Sequence, residues 1–303
     1  MYLCNENTCW VFFLTSNEIK IESRHIIDII YGVHVLLHKG ISRQNIIAII
    51  DGPLPDIAED YEYLEKIISI KYVQNIPQIV RKNKFENLVL FVTGHGGIDG
   101  LPYVTSIKPF HFLNCIRRIK QLRNAIIYMG QCYAGIFHYM SVQSRHDEHK
   151  KQLSPEIIVI GATNLFTSIS TSKSYSLNAD GRTWPANLFL YYVFEWISNP
   201  KDIDGDGKYT VIDSYKYAGA KTNQEYTYRK NYLFLLILEI QKKINDIEEK
   251  LKFHSKESSI YKKLELEKKA EILNFSQKSE IYFNHQEPWI LNSMPAQLIE
   301  FKL

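Results

Sequence analysis

A histidine and a cysteine, each beside glycine at the exit of a short apolar run, are the residues of this chain best equipped for covalent chemistry. His95 lies in Phe91-Val92-Thr93-Gly94-His95-Gly96-Gly97, and Cys132 in Gly130-Gln131-Cys132-Tyr133-Ala134-Gly135. A free thiol has a pKa of about 8.5, so a neighbouring imidazole is needed to populate thiolate, the attacking species in acyl transfer, at neutral pH. The tetrahedral intermediate of such a reaction needs backbone N–H donors aimed at its oxyanion. The N–H groups of Gly96 and Cys132 suit that role, because glycine has no Cβ to hold a substrate away. Ala134 and Gly135 let a following helix start tightly against a sheet. Single histidines and cysteines at strand ends are usually structural. Two glycine-flanked sites on separate strand ends favour nucleophilic catalysis instead.

The elements that position this pair alternate along the first 220 residues. Apolar runs at Trp10–Leu14, Ile46–Ile50, Leu88–Val92, Ala125–Met129 and Glu156–Ala162 read as strands. Amphipathic stretches at Arg24–His38, Lys71–Lys82, Ile107–Leu122 and Pro185–Ile197 read as helices. Near-continuous apolar strands separated by helices predict an α/β fold, a mostly parallel sheet covered on both faces. Ligands bind such sheets at the carboxyl ends of the strands, where both His95 and Cys132 fall. From Lys221 to Gln277 the pattern changes. Leu233, Ile237, Ile240, Ile244, Ile247 and Leu251 recur at steps of three and four, and after a polar turn Ile260, Leu264, Ala270 and Leu273 mark a second charged helix. This predicts a helical hairpin with a coiled-coil-like seam over 221–277, inserted in a domain spanning 1–220 that resumes over 278–303. The hairpin reads equally as a solvated extension and as an arm for a protein partner.

Bulk composition excludes several classes. The 303 residues carry 36 basic and 33 acidic side chains, too balanced for a nucleic-acid binder. No apolar run approaches the roughly 20 residues that span a bilayer, and the first residues lack a signal-peptide pattern. Four cysteines (Cys4, Cys9, Cys115, Cys132) form no CxxC pair, which suits a reduced, cytoplasmic setting and leaves a thiol free.

The motifs Gly94-His95-Gly96-Gly97 and Gln131-Cys132-Tyr133-Ala134-Gly135 resemble the His-Gly and Cys-x-Ala/Ser-Gly motifs of the caspase/legumain clan of cysteine peptidases. The order of the two strands also matches, and the interval of 37 residues (132 − 95) is more similar to the legumain-type and bacterial caspase-like branch. The likeness covers residues 8 to 220 and resumes near the C-terminus. It implies a caspase-like three-layer αβα sandwich, endopeptidase activity through a Cys132 thioester with His95 as general base and acid, and no cofactor for the chemistry. The substrate would be a protein or peptide. In that clan the residue two before the cysteine helps to form the pocket for the P1 side chain, the one preceding the cleaved bond; here it is Gly130, followed by Gln131. The other pocket walls map onto Thr15, Ser16 and Asn17 and onto the segment Thr163-Asn164-Leu165-Phe166-Thr167-Ser168, none charged, with Asp180 and Arg182 in a nearby loop. The implied P1 residue is therefore neutral or small and polar, such as Asn. A transamidase using the same dyad, and a non-catalytic scaffold acting through the hairpin, are the competing readings.

Asp202-Ile203-Asp204-Gly205-Asp206-Gly207-Lys208 and Asp213 nearly match a calcium loop. Asp202, Asp204 and Asp206 occupy positions 1, 3 and 5, Lys208 would offer its backbone carbonyl, and Asp213 stands where a bidentate Glu is usual. The competing reading is a solvated Asp/Gly turn capping a helix over Ser214–Ala220. The polar stretch Ser141–Lys151 falls where caspases are cleaved on activation, though a surface loop explains it as well. His146 and His149 within it read as solvent-exposed.

Overall fold

Eight-residue alternation of large apolar side chains is what lets one strand feed two cores, and Thr8–Thr15 shows it. Trp10, Phe12 and Leu14 enter the core on one face of the sheet, while Cys9, Val11 and Phe13 enter the other. The computed structural model describes residues 1–16, 21–52, 58–73, 85–119, 121–149, 152–177, 180–284 and 286–303. In chain order its strands are β1 (Tyr2–Leu3), β2 (Thr8–Thr15), β3 (Ile46–Asp51), β4 (Ser69–Lys71), β5 (Asn87–Thr93), β6 (Asn124–Met129), β7 (Glu156–Gly161), β8 (Ser170–Leu177), β9 (Asp180–Asn187), β10 (Trp289–Leu291) and β11 (Glu300–Phe301). The helices are α1 (Ser23–His38), α2 (Ala58–Ile67), α3 (Pro109–Arg117), α4 (Leu188–Ser198), α5 (Val211–Leu251), α6 (Ser259–Phe283) and the short α7 (Ser293–Ala296).

Seven strands form the central sheet in the order β10-β7-β6-β5-β2-β3-β4. All neighbours are parallel except β10, which runs antiparallel on the β7 edge. Every residue of β2, β3, β5 and β6 is buried, as expected of strands covered on both faces. α1 and α4 cover one face with the start of α5; α3 and the 3-10 turn Ala134–Tyr139 cover the other. The result is a three-layer α/β architecture. Gly32 lets α1 approach closely, since a Cβ there would lie 2.5 Å from the Phe12 ring and 2.6 Å from Phe194. β8 and β9 form a separate antiparallel hairpin just before α4.

The chain divides into two compact units, residues 1–222 with 286–303, and residues 223–285. In the second unit Ile240, Ile244 and Ile247 are buried, and Leu233, Ile237 and Leu251 are half-buried. Lys243 pairs with Glu271 at 3.9 Å and Lys268 with Glu248 at 2.7 Å across the two helices.

Several local expectations change. The helix expected over Pro185–Ile197 starts at Leu188, because Pro185 to Asn187 pair in β9 and Asn187 caps the helix. The helix expected over 107–122 is shorter, Pro109–Arg117. The stretch expected as a helix from Lys71 falls at 74–82 outside the described residues, and Lys71 itself belongs to β4. On α6, Ile260, Ala270 and Leu273 are exposed, while the less exposed positions include Tyr261, Leu264, Lys268, Glu271 and Phe275. That face is mixed rather than an apolar stripe: beside the two ion pairs, the Phe234 and Tyr282 rings meet across the helices at 6.0 Å. Among the described residues no helix is long and apolar enough to cross a membrane.

Candidate active site

Parallel pairing fixes the relation of the two chemistry-bearing loops. Val92 on β5 is the register partner of Met129 on β6, so His95 and Cys132 each lie three residues past paired positions on neighbouring strands, which run about 4.8 Å apart. The Gly130 N–H donates to the Val92 carbonyl at 2.8 Å, continuing the ladder toward the site. Beyond it the loops touch: a Cβ on Gly96 would overlap the Cys132 carbonyl and press on Gln131. Tyr133 then takes a left-handed conformation (φ 56°, ψ 26°), turning the chain at once after the cysteine. The Tyr133 N–H donates to the Phe166 carbonyl at 2.8 Å and the Gly135 N–H to the Asn164 carbonyl at 3.0 Å, which ties the cysteine loop to the segment after β7. The Ser168 N–H lies 3.2 Å from Cys132 Sγ. Cys132 and His95 are both partly exposed, so a ligand can reach them.

Beside His95 lies the first turn of α1. Glu22 is the residue preceding that helix, yet its side chain does not cap it. Instead Glu22 Oε2 accepts from Arg24 Nε at 2.6 Å, and Oε1 lies 2.8 Å from His95 Nε2. That second contact is close but off the ring's N–H direction, so His95 Nε2 is buried without an aligned hydrogen bond. The bond from Arg24 holds the Glu22 carboxyl down at about 2. The His25 ring meets His95 edge-on at 5.3 Å between centroids. Burial pushes His25 down to about 3, so it is neutral at ordinary pH.

One helical turn further on, Asp28 ties the framework together. Its Oδ1 accepts from Trp184 Nε1 at 2.8 Å and from the Asn187 N–H at 3.2 Å, and its Oδ2 accepts from the Thr93 hydroxyl at 3.1 Å. Asn187 in turn donates to the Gly130 carbonyl at 2.6 Å and to Ser168 Oγ at 3.3 Å, and its Oδ1 accepts from the Leu190 N–H. A chain of hydrogen bonds therefore joins Thr93, two residues before His95, to Gly130, two residues before Cys132. Complete burial pushes the Asp28 carboxyl up to about 7 despite these three donors.

Of the residues mapped as pocket walls, Gly130 is packed: a Cβ there would lie 2.7 Å from Leu190 and 2.8 Å from Asn187. Gln131 is buried, and among the described residues neither of its amide atoms has a hydrogen-bond partner. Ser16 is buried and its N–H donates to the Asp51 carbonyl at 2.8 Å; Thr163 is buried too. Asn164 packs against Gly135. Asn17 lies outside the described residues. Arg182 is bound to Asp60 at 2.5 Å. Ser168, at the end of the mapped segment 163–168, does reach the site, whereas Glu22, Arg24, His25, Asp28 and Asn187 carry no motif that singles them out. Glu22 and His25 are spaced i, i+3 at a helix start, and Asn187 precedes an apolar run as a helix cap does. Both signals were present but carry no distinctive motif.

The aspartate loop is partly self-satisfied. Asp202 accepts from the N–H groups of Gly205 and Gly207 at 2.6 and 2.8 Å, and Lys216 pairs with Asp204 at 2.8 Å. Lys208 Nζ lies 3.3 Å from Asp206. Asp202, Asp204 and Asp206 bring carboxylate oxygens within 4.8 Å of one another. Asp213 is buried and accepts from the Thr210 N–H and hydroxyl at 2.9 and 2.6 Å, and from the Ile203 N–H at 2.9 Å. With Thr210 preceding α5, this is a capping arrangement.

No family model and no curated protein matches the chain. Among solved structures it is similar to one described as "structure of pro-sf-caspase-1", at 10% identity and a TM-score of 0.39, over 73% of this chain and 80% of that one. A likeness of that size carries no weight for function.

Proposed function

We propose that the protein is a caspase-like cysteine endopeptidase. The observation that supports this most is the junction of Gly96 with the Cys132 carbonyl at equal register past β5 and β6, beside a histidine and a partly exposed thiol. In this reading His95 takes the Cys132 proton, and the sulfur attacks the peptide carbonyl carbon. The oxyanion is held by the N–H groups of Gly96 and Cys132. Collapse expels the amine, protonated by His95, and leaves a thioester that water hydrolyses with His95 again as base. The charges of Glu22 and Arg24 cancel in one pair and Arg182 is committed to Asp60, which favours a neutral P1 residue. The Asp202–Asp206 loop is a calcium site remote from this chemistry, and titration calorimetry at millimolar calcium tests it.

Alkylation by a small haloacetamide separates this reading from a scaffold. Cys115 is exposed and serves as the internal reference, and burial pushes the Cys9 thiol up to about 12. Cys132 is expected to react at least about tenfold faster than Cys115, with the excess removed in His95→Ala. Equal rates would contradict the proposal. A free amine acceptor then distinguishes hydrolysis from ligation by whether a joined product forms.

A further inference from the structure

A second histidine and a glutamate converge on His95, and the ring nitrogens of that second histidine have no hydrogen-bond partner among the described residues. Glu22 and His25 stand one turn apart at the start of α1, a spacing that puts their side chains on one face. His95 reaches the same point from the end of β5. The ligand atoms of all three lie within 4.8 Å of one another, with Glu22 Oε1 2.8 Å from His95 Nε2. His25 is 4% exposed, and among the described residues neither of its ring nitrogens has a hydrogen-bond partner. Buried polar atoms are almost always satisfied, so a bare imidazole aimed into a cluster of donors marks a ligand position. Zinc bound tetrahedrally at about 2.0–2.1 Å holds neighbouring ligand atoms about 3.4 Å apart, within the range these side chains span. Arg24 donates to both oxygens of Glu22, and the longer bond, Nη2 to Oε1 at 3.2 Å, is the one a metal would displace.

We infer that Glu22, His25 and His95 form a binding site for a zinc-class divalent cation that switches the enzyme off reversibly. Two imidazoles and a carboxylate are the donors that zinc favours, with water in the fourth position. An imidazole held by a dication neither accepts a proton nor turns toward the thiol, so filling the site removes the base. The off-switch rests on the peptidase reading; the binding site does not.

Zinc chloride competed against a chromogenic chelator, with the full chain first stripped of metal, tests the site without any activity readout. The expected result is one zinc per chain, bound about tenfold or more weaker in Glu22→Gln and in His25→Ala, and unchanged in Cys132→Ala. Glu22 is half-exposed, so its variant keeps the test valid if His25→Ala fails to fold. Equal affinity in wild type and Glu22→Gln, no stoichiometric binding, or a matching loss in Cys132→Ala would overturn the assignment. Peptide hydrolysis by the stripped protein should fall with zinc and return with chelator. If the stripped protein hydrolyses nothing, the peptidase reading and the switch fall together, and the site itself is judged on the affinity ratio alone.

Discussion

Gly96 carries more of the site's geometry than either reactive side chain. Its bare Cα lies where any Cβ would overlap the Cys132 carbonyl, so one methyl group must push the two loops apart. Gly96→Ala is therefore expected to cost about 1–3 kcal/mol in stability and to slow peptide hydrolysis by at least about a hundredfold, since small misplacements of catalytic groups are expensive. Urea unfolding and steady-state kinetics check both. A variant with wild-type stability and rate would show that the loops do not need this approach. The glycine was legible in the sequence as a small residue beside a histidine. Its contact partner was not, because only strand register brings residue 96 against residue 132.

The elements meet at Asp28, where α1, β5, β9 and the start of α4 share one buried carboxylate. Its folded pKa of about 7 lies above its ordinary 3.8, so the native state holds the proton longer than the unfolded chain does. That contribution to stability is fully present below about 3.8, declines as pH rises to about 7, and is flat above. Asp28→Asn removes it while keeping an acceptor for Trp184 and Asn187. The stability of wild type relative to this variant should therefore fall between pH 4.5 and 7.5 in urea unfolding. A difference that stays constant or rises would contradict the assignment. His25, held near 3, has the opposite slope, losing its contribution as pH falls from its ordinary 6.5, and the difference between the two proteins cancels it. Asn187→Ala should cost about 1 kcal/mol as a lost helix cap and lower turnover too, because Asn187 also holds the Gly130 carbonyl. The core strands were readable because fully buried strands are continuous apolar runs. The β8–β9 hairpin was not, since Ser170–Leu177 is polar and serine-rich and lacks both apolar continuity and alternation.

At the scale of the whole molecule, the two units differ in what holds them. The first has two apolar cores around a sheet. The second has a smaller set of buried side chains, Tyr226, Ile240, Ile244 and Ile247, on one helix. Ion pairs, a contact between the Phe234 and Tyr282 rings, and the Tyr226 hydroxyl donating to the Ile281 and Asn284 carbonyls join it to the other. A carboxylate at Ile244 would be buried without a partner, so Ile244→Asp should speed amide hydrogen exchange across 223–285 and leave β2, β5 and β6 protected. Loss of protection in those strands as well would show the units to be one cooperative block. The first helix of this hairpin was legible from its three-and-four spacing. The second helix was legible too, over Ser259–Phe283, but its inward face was not. Ile260, Ala270 and Leu273 are exposed, and the half-buried positions include Lys268 and Glu271, which a search for apolar repeats passes over. The most direct test of the central claim is cleavage of a peptide library, read by mass spectrometry, with metal-stripped wild type, Cys132→Ala and His95→Ala, each with and without calcium. The account predicts cleavage by wild type after neutral P1 residues and none by either variant. Cleavage that persists in Cys132→Ala, or a wild type that cleaves nothing between pH 6 and 8, would contradict it.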